Sequence, residues 1–260
     1  MEFVALWSRA RGGALPPPFT FVTDIPYYDD FQRELRSVRN RLQADVDPRV
    51  DELCAELRDP DLSVEVRGGS GADWTDAKQT IRLRAVRCGS RGYLAKQLPG
   101  KTYDASGGFT ITECDPLGLA AVVVAALPKA EAGKGKNVTL PMPVTAKTDE
   151  GLDHSFGTSN LWDSFDDDNS ARAEKFEQIV PVTEGYIVVR QGRSVYGPRG
   201  QLRIQLGWRD LPDDGRYVIG PELPPIAQPA DDNKFAAMIN KEIAKVIQTI
   251  KDERASLREA

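Results

Sequence analysis

The sequence predicts an α+β fold in which two strand meanders, each closed by an amphipathic helix, build a pseudo-twofold molecule around an antiparallel sheet. Three observations carry this. The apolar period changes from about 3.6 to two after Asp59-Pro60; a helix signal returns at Asp115-Pro116; and strand candidates followed by a long apolar helix recur between Tyr186 and Ile250.

The elements follow in order. Phe3, Leu6 and Trp7 share one helix face, and Gly12-Gly13 and Pro16-Pro17-Pro18 stop that segment. Phe31, Leu35, Val38 and Leu42 form a stripe on a helix over 29–43. Asp47-Pro48 starts the next helix, because an Asp cap accepts an orphan amide and proline fits the first turn; such a cap is worth about 1 kcal/mol. Val50, Leu53, Cys54 and Leu57 supply its apolar face.

Leu62, Val64 and Val66 then alternate, and Gly68-Gly69-Ser70-Gly71 is expected to be a flexible turn before Ile81, Leu83 and Ala85. Tyr93 to Leu98 and Phe109 to Thr112 complete a meander of three or four strands. Asp115-Pro116 caps the helix of Leu119 to Leu127. In the second half Tyr186 to Arg190, Leu202 to Trp208 and Tyr217 to Ile219 are strands, with Trp208 in the core. A helix from about Asp231-Asp232 carries Phe235, Met238, Ile239, Ile243, Val246, Ile247 and Ile250. The halves span about 1–145 and 171–260, as one domain, and a polar loop over 146–170 joins them.

Composition bounds the function. A net charge of -5 argues against nucleic-acid binding, which needs a concentrated basic surface. Arg82, Arg84, Arg87 and Arg91 are expected on the solvent face of a strand. No basic stretch followed by an apolar one opens the chain, and the apolar run Leu117 to Leu127 is too short to span a bilayer. A cytoplasmic protein with no membrane insertion is expected. Cys54, Cys88 and Cys114 are too widely spaced for a metal or disulfide framework.

Motifs for chemistry are missing. His154 stands alone in the polar loop, no GxSxG occurs, and Gly133-Lys134-Gly135-Lys136 lacks the first glycine of a phosphate loop. Asp163 to Asn169 lacks the ligand spacing of a calcium loop. Neither a cofactor nor a metal is expected.

Several segments together resemble the EspG family, cytosolic secretion-associated proteins of the ESX or type VII systems of mycobacteria and related actinobacteria. They are Phe3-Val4-Ala5-Leu6-Trp7 before a proline-bearing stretch, the strand Thr80 to Arg87 paired with Gly92 to Gln97, and Leu127-Pro128 with Gly133 to Pro141. Gly200 to Trp208 leading into Asp210, Asp213-Asp214-Gly215-Arg216-Tyr217 completes the set. The aromatic and acidic loop over 146–169 and the charged tail beyond Lys251 depart from the pattern.

The resemblance implies a central antiparallel sheet flanked by two helical bundles in quasi-twofold arrangement. It also implies a chaperone for a PPE-type protein of a PE–PPE heterodimer, covering a hydrophobic tip with about 800 Å² of surface. Candidate contacts are Trp74 and Tyr93, the loop aromatics Phe156, Trp162 and Phe165, and the C-terminal helix. Two alternatives stand beside it: an enzyme whose site assembles in space from Asp210, Asp214 and Arg216, and a structural scaffold subunit. A homodimer is left open.

Overall fold

Strand β1 (Leu62–Ser70) is buried along almost its whole length, because it lies at the centre of a nine-stranded sheet. It pairs antiparallel with β2 (Ile81–Cys88) on one side and β6 (Thr183–Gln191) on the other. From β2 the sheet continues to β3 (Arg91–Pro99) and β4 (Ser106–Cys114). From β6 it continues to β7 (Arg203–Leu211), β8 (Gly215–Ile219), β9 (Ile226–Pro229) and the two-residue β5 (Val138–Thr139). The structure, a computed structural model, describes residues 1–9, 14–42, 47, 49–142 and 163–259, with the backbone alone for 163–168 and 259.

Helices cover both faces. On one, α4 (Leu119–Ala125) and α6 (Asp232–Glu259) pack on each other and on the even-numbered side of β1, with Leu83, Ile187, Leu206, Trp208, Phe235 and Ile239 in the largest core. On the other, α1 (Glu2–Arg9) and α3 (Arg49–Arg58) bring Trp7 and Leu57 onto Val86, Tyr93 and Ala95. Helix α2 (Tyr28–Leu42) lies outside α1, and α5 (Asp163–Gln178) packs Ala173 and Phe176 against Tyr217 and Ala227.

Four expectations need correction. Gly68, Gly69 and Ser70 are strand, not turn. Gly68 pairs with Gly185, and the Trp208 indole fills the slot these two leave, so that a Cβ on either would overlap the ring. Asp115 does not cap α4; its carboxylate accepts from the Leu117 N–H at 2.8 Å, and the helix starts two residues later behind Gly118.

The expected loop over 146–170 is helical from Asp163 onward. Acidic groups favour a helix N-terminus, and the later turns hold good helix formers, so the absence of a strong apolar period did not prevent a helix.

Arg82 and Arg84 are buried, at 2% and 5% exposure, not solvated. Arg84 donates to Glu65 Oε1 at 2.7 Å and to the Pro17 carbonyl at 2.9 Å, while Arg190 reaches Glu65 Oε2 at 3.2 Å. Arg82 donates to the Tyr103 carbonyl at 2.7 Å and stacks over its ring at 4.6 Å. The chain near Pro17 and Tyr103 covers this side of the sheet, so the alternation marks a polar seam beneath it.

Two similar contacts lie at opposite ends of the β1–β6 pair. Gly71 packs so closely on Pro181, and Gly192 on Pro60, that a Cβ on either glycine would collide with the proline's carbonyl oxygen. Each residue stands 121 positions from its counterpart. The strand order likewise runs outward from the β1–β6 pair in both directions.

Candidate docking groove

The groove lies at the end of the sheet where β1 and β3 finish and β2 and β6 begin. Its first wall is the β1–β2 connection, where Asp76 accepts from the Lys78 N–H and the Gln79 side chain, both at 2.9 Å. Those bonds fix a 3-10 turn over Ala77–Gln79 and so hold Lys78 and Gln79 at the rim.

The opposite wall is the β7–β8 turn. Asp213 has φ +59 and Gly215 φ +135, where a side chain on Gly215 would strike the carbonyl oxygens of Glu131 and Ala132 at 2.6 Å. Asp214 accepts from the Lys134 N–H at 2.6 Å and the Tyr217 hydroxyl at 2.9 Å. Burial holds the Tyr217 phenol above its ordinary value, and the bond to Asp214 adds to that.

Between the walls two depressions of about 510 and 480 Å³ join at Pro128 and Thr183. Their floor is apolar: Ile81, Ala126, Leu127 and Pro128 on one side, Val182 and Leu211 on the other. Val182 is 58% exposed, with Val180 beside it at 57%, and Leu98 lies at the end of β3. Lys78 and Lys96 stand at one end, whereas Glu131, Asp210, Asp213 and Asp214, together with Lys129 and Lys134, line the other.

Of the three residues of the enzyme alternative, Asp210 and Asp214 line the same depression and Arg216 is bonded to Asp210. Arg216 is fully buried and committed, donating to both Asp210 oxygens at 2.7 and 2.9 Å and to the Pro128 carbonyl at 2.7 Å. Asp214 serves the Lys134–Tyr217 contacts instead. Arg216 therefore acts as a clamp that fixes the groove wall at Pro128 to β7 and β8.

The expected contacts are placed as follows. Trp74 is half-buried in the β1–β2 connection and donates to the Tyr103 hydroxyl at 2.9 Å. Tyr93 is 8% exposed and lies in the core beneath α3; burial, with the Glu56 carboxylate, pushes its phenol up to about 12. His154, Phe156 and Trp162 lie outside the described residues, as does the Phe165 side chain. The C-terminal helix contributes to a separate depression at the other end of the sheet. There Glu253 accepts from Ser194 Oγ at 2.8 Å and the Val195 N–H at 3.0 Å, and the next residue in the chain, Tyr196, is 72% exposed. Sequence reasoning missed Val182, Lys78 and Lys96, which only the pairing of the strands brings together.

Among the described residues, no group of three or more His, Cys, Asp or Glu is placed to hold a metal ion, and no helix is long and apolar enough to cross a membrane. A shallow apolar floor with charges at its two ends is the form of a protein-docking surface. The chain belongs to the EspG family, which matches over residues 1–241. It is similar in fold to the Mycobacterium tuberculosis type VII secretion system chaperone EspG5, solved in complex with a PE25–PPE41 dimer. That likeness has a TM-score of 0.56 and 14% identity, over 92% of this chain and 91% of the other. No curated protein sequence matches.

Proposed function

We propose that this chain is a cytoplasmic, non-catalytic chaperone that holds the hydrophobic tip of a PPE-type protein in a PE–PPE heterodimer and directs it to an ESX type VII secretion system. The observation that carries this is the family match over residues 1–241, joined to a fold shared with a chaperone solved with a PE–PPE dimer. The groove suits such a client, because its apolar floor replaces water around an exposed tip and its polar ends limit which tips fit.

On this reading Val182, Leu211 and Ile81 form the seat and Trp74 buttresses one wall. Phe156, Trp162 and Phe165 remain candidate client contacts. The same reading takes the two halves as a quasi-twofold duplication, supported by the paired Pro–Gly packing 121 residues apart. Co-expression with PE–PPE pairs from the same genome, followed by size exclusion, tests the function. Co-elution with at least one pair is expected, and failure with every pair would overturn it.

A further inference from the structure

We infer that β4 is a pairing edge for a second copy of this chain, so that two nine-stranded sheets join through an antiparallel β4–β4 contact. An edge strand presents unpaired N–H and C=O groups, and monomers blunt such edges with short strands, lysine, proline or bulges. The sheet's other edge follows that rule, since β5 has only two residues and caps β9. Strand β4 does not. It has nine residues, none of them fully buried, and no described strand pairs on its outer side. Its run from Phe109 to Cys114 holds one charge, no lysine and no proline. The register shift at Leu98/Pro99 and the φ of +139 at Gly108 leave that run regular.

The occupant is a second copy because the run is complementary to itself. Pairing centred on Ile111 sets this residue against its own copy and Thr110 against Thr112 of the second copy, twice over. Glu113 then meets Phe109, so no like charges are opposed. β-branched and Thr–Thr pairs across an antiparallel ladder each contribute favourably, and directly opposed residues lie about 4.5–5.5 Å apart at Cα. A contact of this length is smaller than a standard interface, so the dimer forms as concentration rises.

Sedimentation velocity on the full chain across a concentration series tests this. The wild type should move from one to two chains per particle, while Thr110→Pro and Thr112→Lys stay monomeric with unchanged circular dichroism; Thr112→Lys alone decides if Thr110→Pro misfolds. Under mild oxidation the double variant Thr110→Cys/Thr112→Cys should give a covalent dimer, because the opposed Cα distance fits a disulfide. Wild type and each single variant should not. A wild type that stays monomeric throughout, or a dimer undiminished by Thr112→Lys, overturns the proposal.

Discussion

Replacing Val182 with Asp should abolish most client affinity while leaving the fold intact. Val182 is 58% exposed, so a docked tip would cover an area worth about 1.3 kcal/mol, taking about 1.5–3 kcal/mol for full burial of a valine. A carboxylate there would also be desolvated without a free partner, because its neighbours Asp210, Asp213 and Asp214 share its sign and both nearby lysines are engaged, Lys134 with the Asp213 carbonyl and Lys129 with Asp232. That adds about 2 kcal/mol, for a total of about 3 kcal/mol or about 150-fold in Kd. Stability should move by about 0.5 kcal/mol or less, since the position is exposed and the Val182 N–H to Asp210 carbonyl bond, at 2.8 Å, involves only backbone. Isothermal titration with a co-purified PE–PPE pair measures the first quantity and urea unfolding the second. Tyr196→Ala, at the far end of the sheet, is the control. An unchanged Kd for Val182→Asp would refute the placement of the client, and a loss seen only with Tyr196→Ala would move it to the opposite end.

Three further outcomes test the frame that holds the groove. Glu65→Ala leaves Arg84 and Arg190 facing each other without a carboxylate, and should lower stability by about 3–5 kcal/mol in denaturant melts, whereas Glu65→Leu with Arg84→Leu should recover most of that. Gly68→Ala drives a methyl against Trp208 and the Glu184 carbonyl, and should cost about 2 kcal/mol, read as a fall of about 4–8 °C in Tm. Burial pushes the Cys54 and Cys88 thiols up from 9.0 to about 11. A raised folded value means the folded state holds the proton more tightly, so their contribution is complete below pH 9.0 and fades as pH rises through about 11. Cys54→Ala should therefore flatten the decline of the urea midpoint across that window, even though its midpoint is lower at neutral pH.

Much of the scaffold was legible because its signals are local. The stripe from Phe235 to Ile250 on α6 and the alternation of Leu202, just before β7, with Ile204, Leu206 and Trp208 on it both face the core they were expected to face. Elements that rely on their surroundings were not legible. α5 buries only Ala173 and Phe176 among its described side chains, which gives no readable period, and β5 and β9 are too short to show one. Arg82 and Arg84 alternate as solvent-facing residues do, yet the covering chain near Pro17 and the counterion Glu65 come from far away in sequence.

The groove shows the same division. Trp74 lies in the connection that forms one wall, but the seat is built from segments around residues 78–81, 96–99, 126–131, 180–183 and 210–215, which only the sheet topology brings together. Tyr93, an expected contact, is 8% exposed because α3 folds over it.

Hydrogen exchange on the chain alone and in complex with a PE–PPE heterodimer tests the central claim most directly. The account predicts new protection concentrated in 78–81, 126–131, 180–183 and 210–215, with the 192–202 connection unchanged; protection confined to that connection and the end of α6, or none at all in a stable complex, would contradict it.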